Sequence, residues 1–255
     1  MRVAGIDIGS RYIKFIVIED GRVVASEKGE TGHDPLHTCR KLIAGTVPDR
    51  LVATGYGRYL MEVHGDIPTI TEIKAVARGA KSVFSSCRTV VDIGGQDTKV
   101  IALDDRGLVT EFEMNDRCAA GTGRFIEIMA RTLEYAIEEF GASCEDKRGV
   151  LKINSMCTVF AESEVVSLIA KGILREEIAA AIHDSIAGRV MSLIRRVGAS
   201  DDIVFAGGCA GNRCLAALLS ERLQRPVLIG KTPEMLAALG AALYAESLTF
   251  HDFSF

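Results

Sequence analysis

The sequence predicts an α/β protein built from two related halves. Three observations predict it. Strand-like and helix-like segments alternate along the chain. One strand–turn–strand pattern occurs twice. No low-complexity stretch or flexible linker breaks the 255 residues, of which 48% are hydrophobic. That is enough for one large or two medium domains. The formal net charge is -4 and no basic face is apparent, so no nucleic-acid partner is expected. The opening MRVAGIDIGS carries Asp7 and lacks the apolar core of a secretory signal. No apolar run approaches the roughly 18 residues that span a bilayer. A cytoplasmic protein with no membrane partner is the expectation.

The repeat comes first along the chain. VAGIDIGSRYIKFIVIEDGRVV begins at Val3 and VVDIGGQDTKVIALDDRGLV at Val90. Each leads through apolar residues into Asp-Ile-Gly, at Asp7 and at Asp92, and each has a lysine seven residues later, Lys14 and Lys99. A β-branched run, an acidic turn and a third short strand follow both times. Gly9, Gly94 and Gly95 permit close approach, so amide N–H groups there would face phosphate oxygens. Asp7 and Asp92 end strands and would hold a Mg²⁺ through its waters. Lys14 or Lys99 would neutralise phosphate charge. A single hairpin with an acidic strand end carries little information; two in register, with matched lysines, point to a nucleotide.

The remaining elements follow in order. Residues 34–44 read as a short helix, 51–54 as a strand, TGYGRY as a loop, and 70–80 as a helix. Residues 121–140 repeat apolar side chains at helical spacing (Phe125, Ile128, Met129, Leu133, Ile137). Residues 158–171 form a helix stopped by Gly172, and 175–197 another, with Ile178, Ile182, Ile186, Val190 and Ile194 on one face. DIVFAGGCAGN, from Asp202, reads as a buried strand, a Gly-Gly turn and a helix start. With no side chains at Gly207 and Gly208, a flat base or ribose would lie against the backbone. A strand at 227–229 and a helix at 232–245 complete the pattern, the latter with Thr232 as N-cap and Pro233 at N1. Its alanine-rich face, with Gly240, suits a close helix crossing.

Seven cysteines are present: Cys39, Cys87, Cys118, Cys144, Cys157, Cys209 and Cys214. The number is odd, the spacing scattered and CxxC absent, so a disulfide framework is not expected. Five, including Cys209 and Cys214, read as small buried hydrophobes. His33, His37 and Cys39 in GHDPLHTCR read as a loop entering a helix rather than a metal site. Cys118, in MNDRCAAGTGRF, and Cys157, in INSMCTVFAESEVV, differ: each directly precedes an expected helix. A helix N-terminus stabilises thiolate over thiol. Two such helices side by side would make a pocket for an anionic ligand, of which an iron–sulfur cluster with cysteine ligands is one. One chain offers two such thiols; two chains related by a two-fold axis offer four. A shared zinc ion would use the same donors.

DIGSRYIK resembles the first phosphate loop of the acetate kinase, sugar kinase, Hsp70 and actin superfamily, DIGGQDTK its second, and FAGGCAGN its adenosine motif. The resemblance implies two RNase H-like lobes with a nucleotide cleft: residues 1–86, completed by a C-terminal helix at 232–255, and residues 87–231, carrying the two cysteines. NDRCAAGTGRF and NSMCTVFAESEV narrow it. Nearly the whole chain resembles the ATP-dependent activators, or reductase components, of 2-hydroxyacyl-CoA dehydratases, in the benzoyl-CoA reductase/2-hydroxyglutaryl-CoA dehydratase activator ATPase family.

That resemblance implies an ATPase coupled to electron transfer. Cys118 and Cys157 would ligate one [4Fe–4S] cluster bridging an oxygen-sensitive homodimer. Mg-ATP would be held by Gly9, Ser10, Arg11, Lys14, Gly94, Gly95 and Gln96 at the phosphates, Gly207, Gly208 and Asn212 at the nucleoside, and Asp7 and Asp92 at the metal. Glu72 or Asp97 would orient the attacking water. The electron donor would be a ferredoxin or flavodoxin, and the acceptor a 2-hydroxyacyl-CoA dehydratase or a double-cubane cluster protein. A small-molecule kinase of the same fold, without a cluster, is the rival reading. The chain departs from the family at Ala75 and Val76, where many members carry a Cys-His pair, while Glu72 and the closing Arg-Gly-Ala remain. That departure leaves both acceptors open.

Overall fold

The structure, a computed structural model, describes residues 1–115, 121–144, 151–153, 158–198 and 202–248. These divide into two compact units. The first takes in Met1–Cys87, Leu103–Thr110 and the described residues from Glu234. It opens with β1 (Arg2–Ile8), β2 (Tyr12–Glu19) and β3 (Arg22–Glu30), followed by α1 (Pro35–Ala44), β4 (Arg50–Thr54), α2 (Arg58–Gly65) and α3 (Glu72–Val83). The sheet order is β3-β2-β1-β4. β1 runs antiparallel to β2 and parallel to β4. β1 is buried almost throughout, as its near-continuous apolar sequence requires of a strand covered on both faces; β3, at the edge, is largely exposed. Asp20 and Gly21, at φ 49 and 74, make the two-residue turn between β2 and β3. Asp34 caps α1 by accepting from the His37 N–H, and Thr71 caps α3 by accepting from the Lys74 N–H.

The second unit spans Arg88–Ala102 and Glu111–Pro233. Its elements are β5 (Thr89–Ile93), β6 (Thr98–Leu103), β7 (Val109–Asn115), α4 (Gly123–Thr132), α5 (Ile137–Phe140), α6 (Thr158–Ala170), α7 (Arg175–Val197), β8 (Ile203–Ala206) and α8 (Arg213–Leu223). The sheet order β7-β6-β5-β8 repeats the first sheet, with β5 antiparallel to β6 and parallel to β8. The repeat extends past the sheets: single parallel bridges join Ala53 to Thr69 and Val204 to Leu228. α7 is buried along most of its length and anchors a core with Val91, Phe125, Met129, Phe140 and Phe205.

The chain then returns to the first unit as α9 (Leu236–Ser247). α9 crosses α3 and β1 at backbone contact. A β-carbon on Gly240 would lie 1.8 Å from the Ala75 carbonyl oxygen, one on Gly79 would lie 2.0 Å from that of Leu236, and one on Gly5 would lie 2.1 Å from that of Ala238. The close crossing expected from Gly240 is therefore present, and Ala75 and Val76 are buried within it.

Four local expectations change. TGYGRY is not all loop: α2 begins inside it at Arg58. The single helix over 121–140 breaks after Thr132, where Glu134 turns left-handed at φ 55, and resumes as α5. Residues 227–229 contribute one bridge rather than a strand, since Pro226 offers no N–H and Gly230 follows at once. Thr232 does not cap α9; a 3₁₀ turn over Pro233–Met235 intervenes. Among the described residues no helix is long and apolar enough to cross a membrane.

Candidate active site

In the first unit Asp7 ends β1 and stands opposite Lys14 in the antiparallel register. Lys14 Nζ donates to Asp7 Oδ2 at 2.8 Å. Asp7 Oδ1 is buried and accepts no hydrogen bond. A β-carbon on Gly55, at φ +88, would lie 2.3 Å from that oxygen. The loop between them is fixed at both ends: the Gly9 N–H donates to the Tyr12 carbonyl at 3.2 Å, and Thr31 Oγ1 donates to the Gly9 carbonyl at 2.8 Å. Ser10 is half-buried and Arg11 exposed at its tip. Glu72 lies in the first turn of α3, half-buried.

The second unit repeats this arrangement with changes. Asp92 ends β5 opposite Lys99. Lys99 is 2% exposed and pairs with Asp97 Oδ1 at 2.8 Å and Asp92 Oδ2 at 3.7 Å. A buried ammonium held between two carboxylates organises them and is less open to a phosphate than Lys14. The Gly94 N–H donates to the Asp97 carbonyl at 2.9 Å, the counterpart of the Gly9 turn. Gln96 is exposed at the tip. A β-carbon on Gly207, at φ +85, would lie 2.3 Å from Asp92 Oδ1, as Gly55 does with Asp7. Gly207 thus makes room for the carboxylate, whereas Gly208 faces open space.

The carbonyls of the second loop are used differently from those of the first. The Gly123 N–H donates to the Gly94 carbonyl and the Arg124 N–H to the Gly95 carbonyl, each at 2.8 Å. Thr98 Oγ1 donates to the Gly121 carbonyl at 2.8 Å. The first turn of α4 is therefore fastened to the loop beside Asp92, and two amides that a helix leaves without internal partners are satisfied there. The approach at Gly123 is tight: its β-carbon would meet the Gly94 carbonyl oxygen at 3.1 Å and Cys209 Sγ at 3.3 Å. The glycine of GTGRF that leads α4 thus serves contact with the DIGG loop. Cys118 and Cys157 lie outside the described residues; α4 and α6 begin five residues and one residue after them.

Asn212 is engaged at both ends of its side chain. Its Oδ1 accepts from the Leu215 N–H at 3.0 Å, capping α8, and its Nδ2 lies 3.0 Å from His183 Nε2. His183 Nδ1 lies 2.8 Å from the Ala179 carbonyl, which fixes Nδ1 as the protonated nitrogen and Nε2 as the acceptor. Burial pulls the imidazole down to about 4, against the pull of the Ala179 carbonyl. Asn212, expected to meet the nucleoside, thus also braces the start of α8 against His183.

The remaining cysteines are mostly inert. Burial pushes the Cys39 thiol up to about 11. Burial first, then Asp92 and Glu127, pushes the Cys209 thiol up to about 12. Cys39 sits in the apolar core of the first unit, and among the described residues it does not gather with His33 and His37. Cys144 and Cys214 depart from the expectation of free thiols: they are joined as a disulfide, with Cα atoms 5.7 Å apart. Their separation of 70 residues hid the pair, which forms because the turn after α5 meets the first turn of α8. Sequence reading also missed Gly55 and His183. LVATG and IVFAG, each a strand leading into a glycine, carried a signal for the first; nothing in the sequence marked the second.

The family model described as the BadF/BadG/BcrA/BcrD ATPase family matches residues 4–245. A 2-hydroxyisocaproyl-CoA dehydratase activator from Clostridioides difficile is 40% identical over 96% of this chain and 95% of its own length. The crystal structure of (R)-2-hydroxyglutaryl-CoA dehydratase component A from Acidaminococcus fermentans superposes with a TM-score of 0.89 at 38% identity, over 96% of this chain and 97% of that one. The activator of the 2-hydroxyisocaproyl-CoA dehydratase from Clostridium difficile, solved with bound ADPNP, gives a TM-score of 0.87 at 39% identity, over 96% of this chain and 94% of that one. A ROK-family glucokinase from Streptomyces griseus, at 13% identity and a TM-score of 0.62, shares the fold alone. The fold is that of the actin-like ATPases and sugar kinases.

Proposed function

The chain belongs to the BadF/BadG/BcrA/BcrD ATPase family, and from that premise we propose that it couples ATP hydrolysis to the delivery of single low-potential electrons to a 2-hydroxyacyl-CoA dehydratase. The observation that carries the reading is the junction of α4 with the second loop. Gly94 and Gly95, beside Asp92, accept from Gly123 and Arg124, which lie five and six residues after Cys118. A change in that loop on nucleotide binding or cleavage pulls directly on the helix that follows the cysteine.

Mg-ATP suits the residues present. A buried carboxylate oxygen without a hydrogen-bond partner, Asp7 Oδ1, is a costly feature of a fold. A divalent cation or its bound water satisfies it. Asp92, in the same setting against Gly207, is the second member. Gly9, Ser10, Arg11 and Lys14 on one loop and Gly94, Gly95 and Gln96 on the other hold phosphate oxygens. Gly207 and Gly208 take the nucleoside, with Asn212 and His183 fixing the turn beneath. Lys99 holds Asp97 in place, and Glu72 orients the attacking water.

Cys118 and Cys157 supply two of the four thiolates that a [4Fe–4S] cluster takes, and a second copy of the chain supplies the others. The cluster provides one-electron chemistry at a potential set by charge and hydrogen bonding around it. Self-association has a surface to use: α6, which begins directly after Cys157, exposes Val159, Phe160, Val166 and Ile169. Moving a potential by about 300 mV takes roughly 7 kcal/mol, five factors of ten. A surface ion pair, at about 0–1 kcal/mol, does not supply that; a rearrangement driven through α4 does. A ferredoxin or flavodoxin is the donor.

The test is purification without oxygen, followed by iron, sulfide and visible absorption. Brown protein with about four irons per two chains, and loss of colour in Cys118→Ser or Cys157→Ser, supports the reading. Colourless, iron-free protein from the same procedure defeats it and leaves the kinase.

A further inference from the structure

Cys144 and Cys214 take no part in the proposed electron path, yet they lie directly beneath the turn that carries Asn212. The geometry points to a thiol–disulfide site: Cys144 and Cys214 form a reversible pair that, when oxidised, fastens the start of α8 and the Asn212 strut. The bond joins the turn after α5 to the first turn of α8. Two further contacts tie the same segments. The Cys214 N–H donates to the Gly141 carbonyl at 2.8 Å, and the Cys144 N–H donates to Cys214 Sγ at 3.0 Å. Gly141 packs on Asn212, where a β-carbon would make ordinary contact at 3.4 Å with Cα and Cγ. Phe140 packs against His183 in a tilted arrangement with ring centroids 4.5 Å apart, and His183 in turn meets Asn212. The bond thus closes a ring of contacts, Phe140–His183–Asn212–Gly141, around the N-terminus of α8.

A metal ion is the competing use, because Cys144, His183 and Cys214 bring their ligand atoms within 4.8 Å of one another. The imidazole excludes it. Nδ1 is taken by the Ala179 carbonyl and Nε2 by the Asn212 amide, so neither nitrogen is open for coordination.

The chemistry needs a thiol–disulfide partner, either a small disulfide such as oxidised glutathione or a dithiol–disulfide protein. On oxidation one thiolate attacks the partner's disulfide, whose S–S bond breaks to release one thiol, leaving a mixed disulfide. The second thiolate then displaces the other partner thiol and closes Cys144–Cys214. Two protons and two electrons leave the protein pair, and the partner becomes two thiols. Reduction runs in reverse. Both sulfurs are buried, so either direction proceeds through lifting of the Gly141–Cys144 turn from α8. Any effect on nucleotide affinity rests on the ATP-binding reading above; the bond and its hold on α8 do not.

The experiment equilibrates the purified full-length protein, without oxygen, in reduced and oxidised glutathione at graded ratios. Samples are quenched with N-ethylmaleimide under denaturing conditions, and the peptides are measured by mass spectrometry. Hydrogen exchange at the amides of 213–218 is followed in parallel. The expected result is interconversion of the Cys144–Cys214 peptides across the series while Cys39 and Cys87 stay thiols, with exchange at 213–218 roughly tenfold faster in the reduced form. Cys144→Ser and Cys214→Ser, alone or together, are expected to exchange at the fast rate in every buffer. Recovery of both cysteines as free thiols at every ratio, or equal exchange in the two forms, overturns the inference. Hydrogen exchange is read without nucleotide, so loss of ATP binding counts against the proposed function and not against this site.

Discussion

Gly207 backs Asp92 so closely that a β-carbon would lie 2.3 Å from Oδ1. The same distance separates a β-carbon on Gly55 from Oδ1 of Asp7. In both units the strand parallel to the aspartate strand ends in a left-handed glycine that presses on the carboxylate. The two halves thus share a device for aiming an acid.

Gly207→Ala is therefore expected to lose roughly 2 kcal/mol or more of stability, from backbone strain at φ +85 and from the clash together. Gly55→Ala should behave alike. Gly208→Ala, facing open space, should stay within about 0.5 kcal/mol of the parent. Urea denaturation of the three variants measures this.

Asp7→Asn keeps the shape of the side chain and removes the charge on the buried Oδ1. The protein should fold, and the Mg²⁺ concentration supporting half-maximal ATP hydrolysis should rise by about tenfold or more, the weight of about 1.4 kcal/mol in binding. Titration of hydrolysis with Mg²⁺ reads the shift.

Thr98→Val removes the hydroxyl that donates to the buried Gly121 carbonyl. Leaving that acceptor unpaired should cost about 1–3 kcal/mol of stability. Because the bond fastens α4 to the second loop, the variant should also hydrolyse more ATP per electron delivered. The ratio of phosphate released to electrons transferred measures the loosening.

His183 makes stability depend on pH. Its imidazole titrates near 4 in the folded chain instead of 6.5, so the unfolded chain binds the extra proton between these values. Stability should fall as pH drops from about 6.5 to about 4, by up to roughly 3 kcal/mol from this residue, and the slope should vanish below that range. His183→Gln should show a shallower slope over the same window in urea denaturation at stepped pH.

Much of this was legible in the residues. The paired DIG hairpins, the lysines opposite their aspartates and the glycine-lined crossing of α3 and α9 all rest on local spacing, which a sequence records. Contacts closing over long separations left no trace. His183 meets Asn212 across 29 residues, and Cys144 meets Cys214 across 70. Gly123 belongs with these long-range contacts. Its neighbours, Gly94 and Cys209, lie on two other segments, so no local spacing announced its contact with the second loop. The break after Thr132 was hidden because Leu133 and Ile137 continue the apolar period on either side of it.

On the proposed function, ATP hydrolysis and electron delivery are one coupled event. Its most direct test is a single-turnover experiment: the dithionite-reduced protein is mixed with an oxidised dehydratase, with and without Mg-ATP, and the transfer is followed by absorbance. Transfer should require Mg-ATP and be lost with the non-hydrolysable analogue ADPNP. Transfer at the same rate and to the same extent without nucleotide would contradict it.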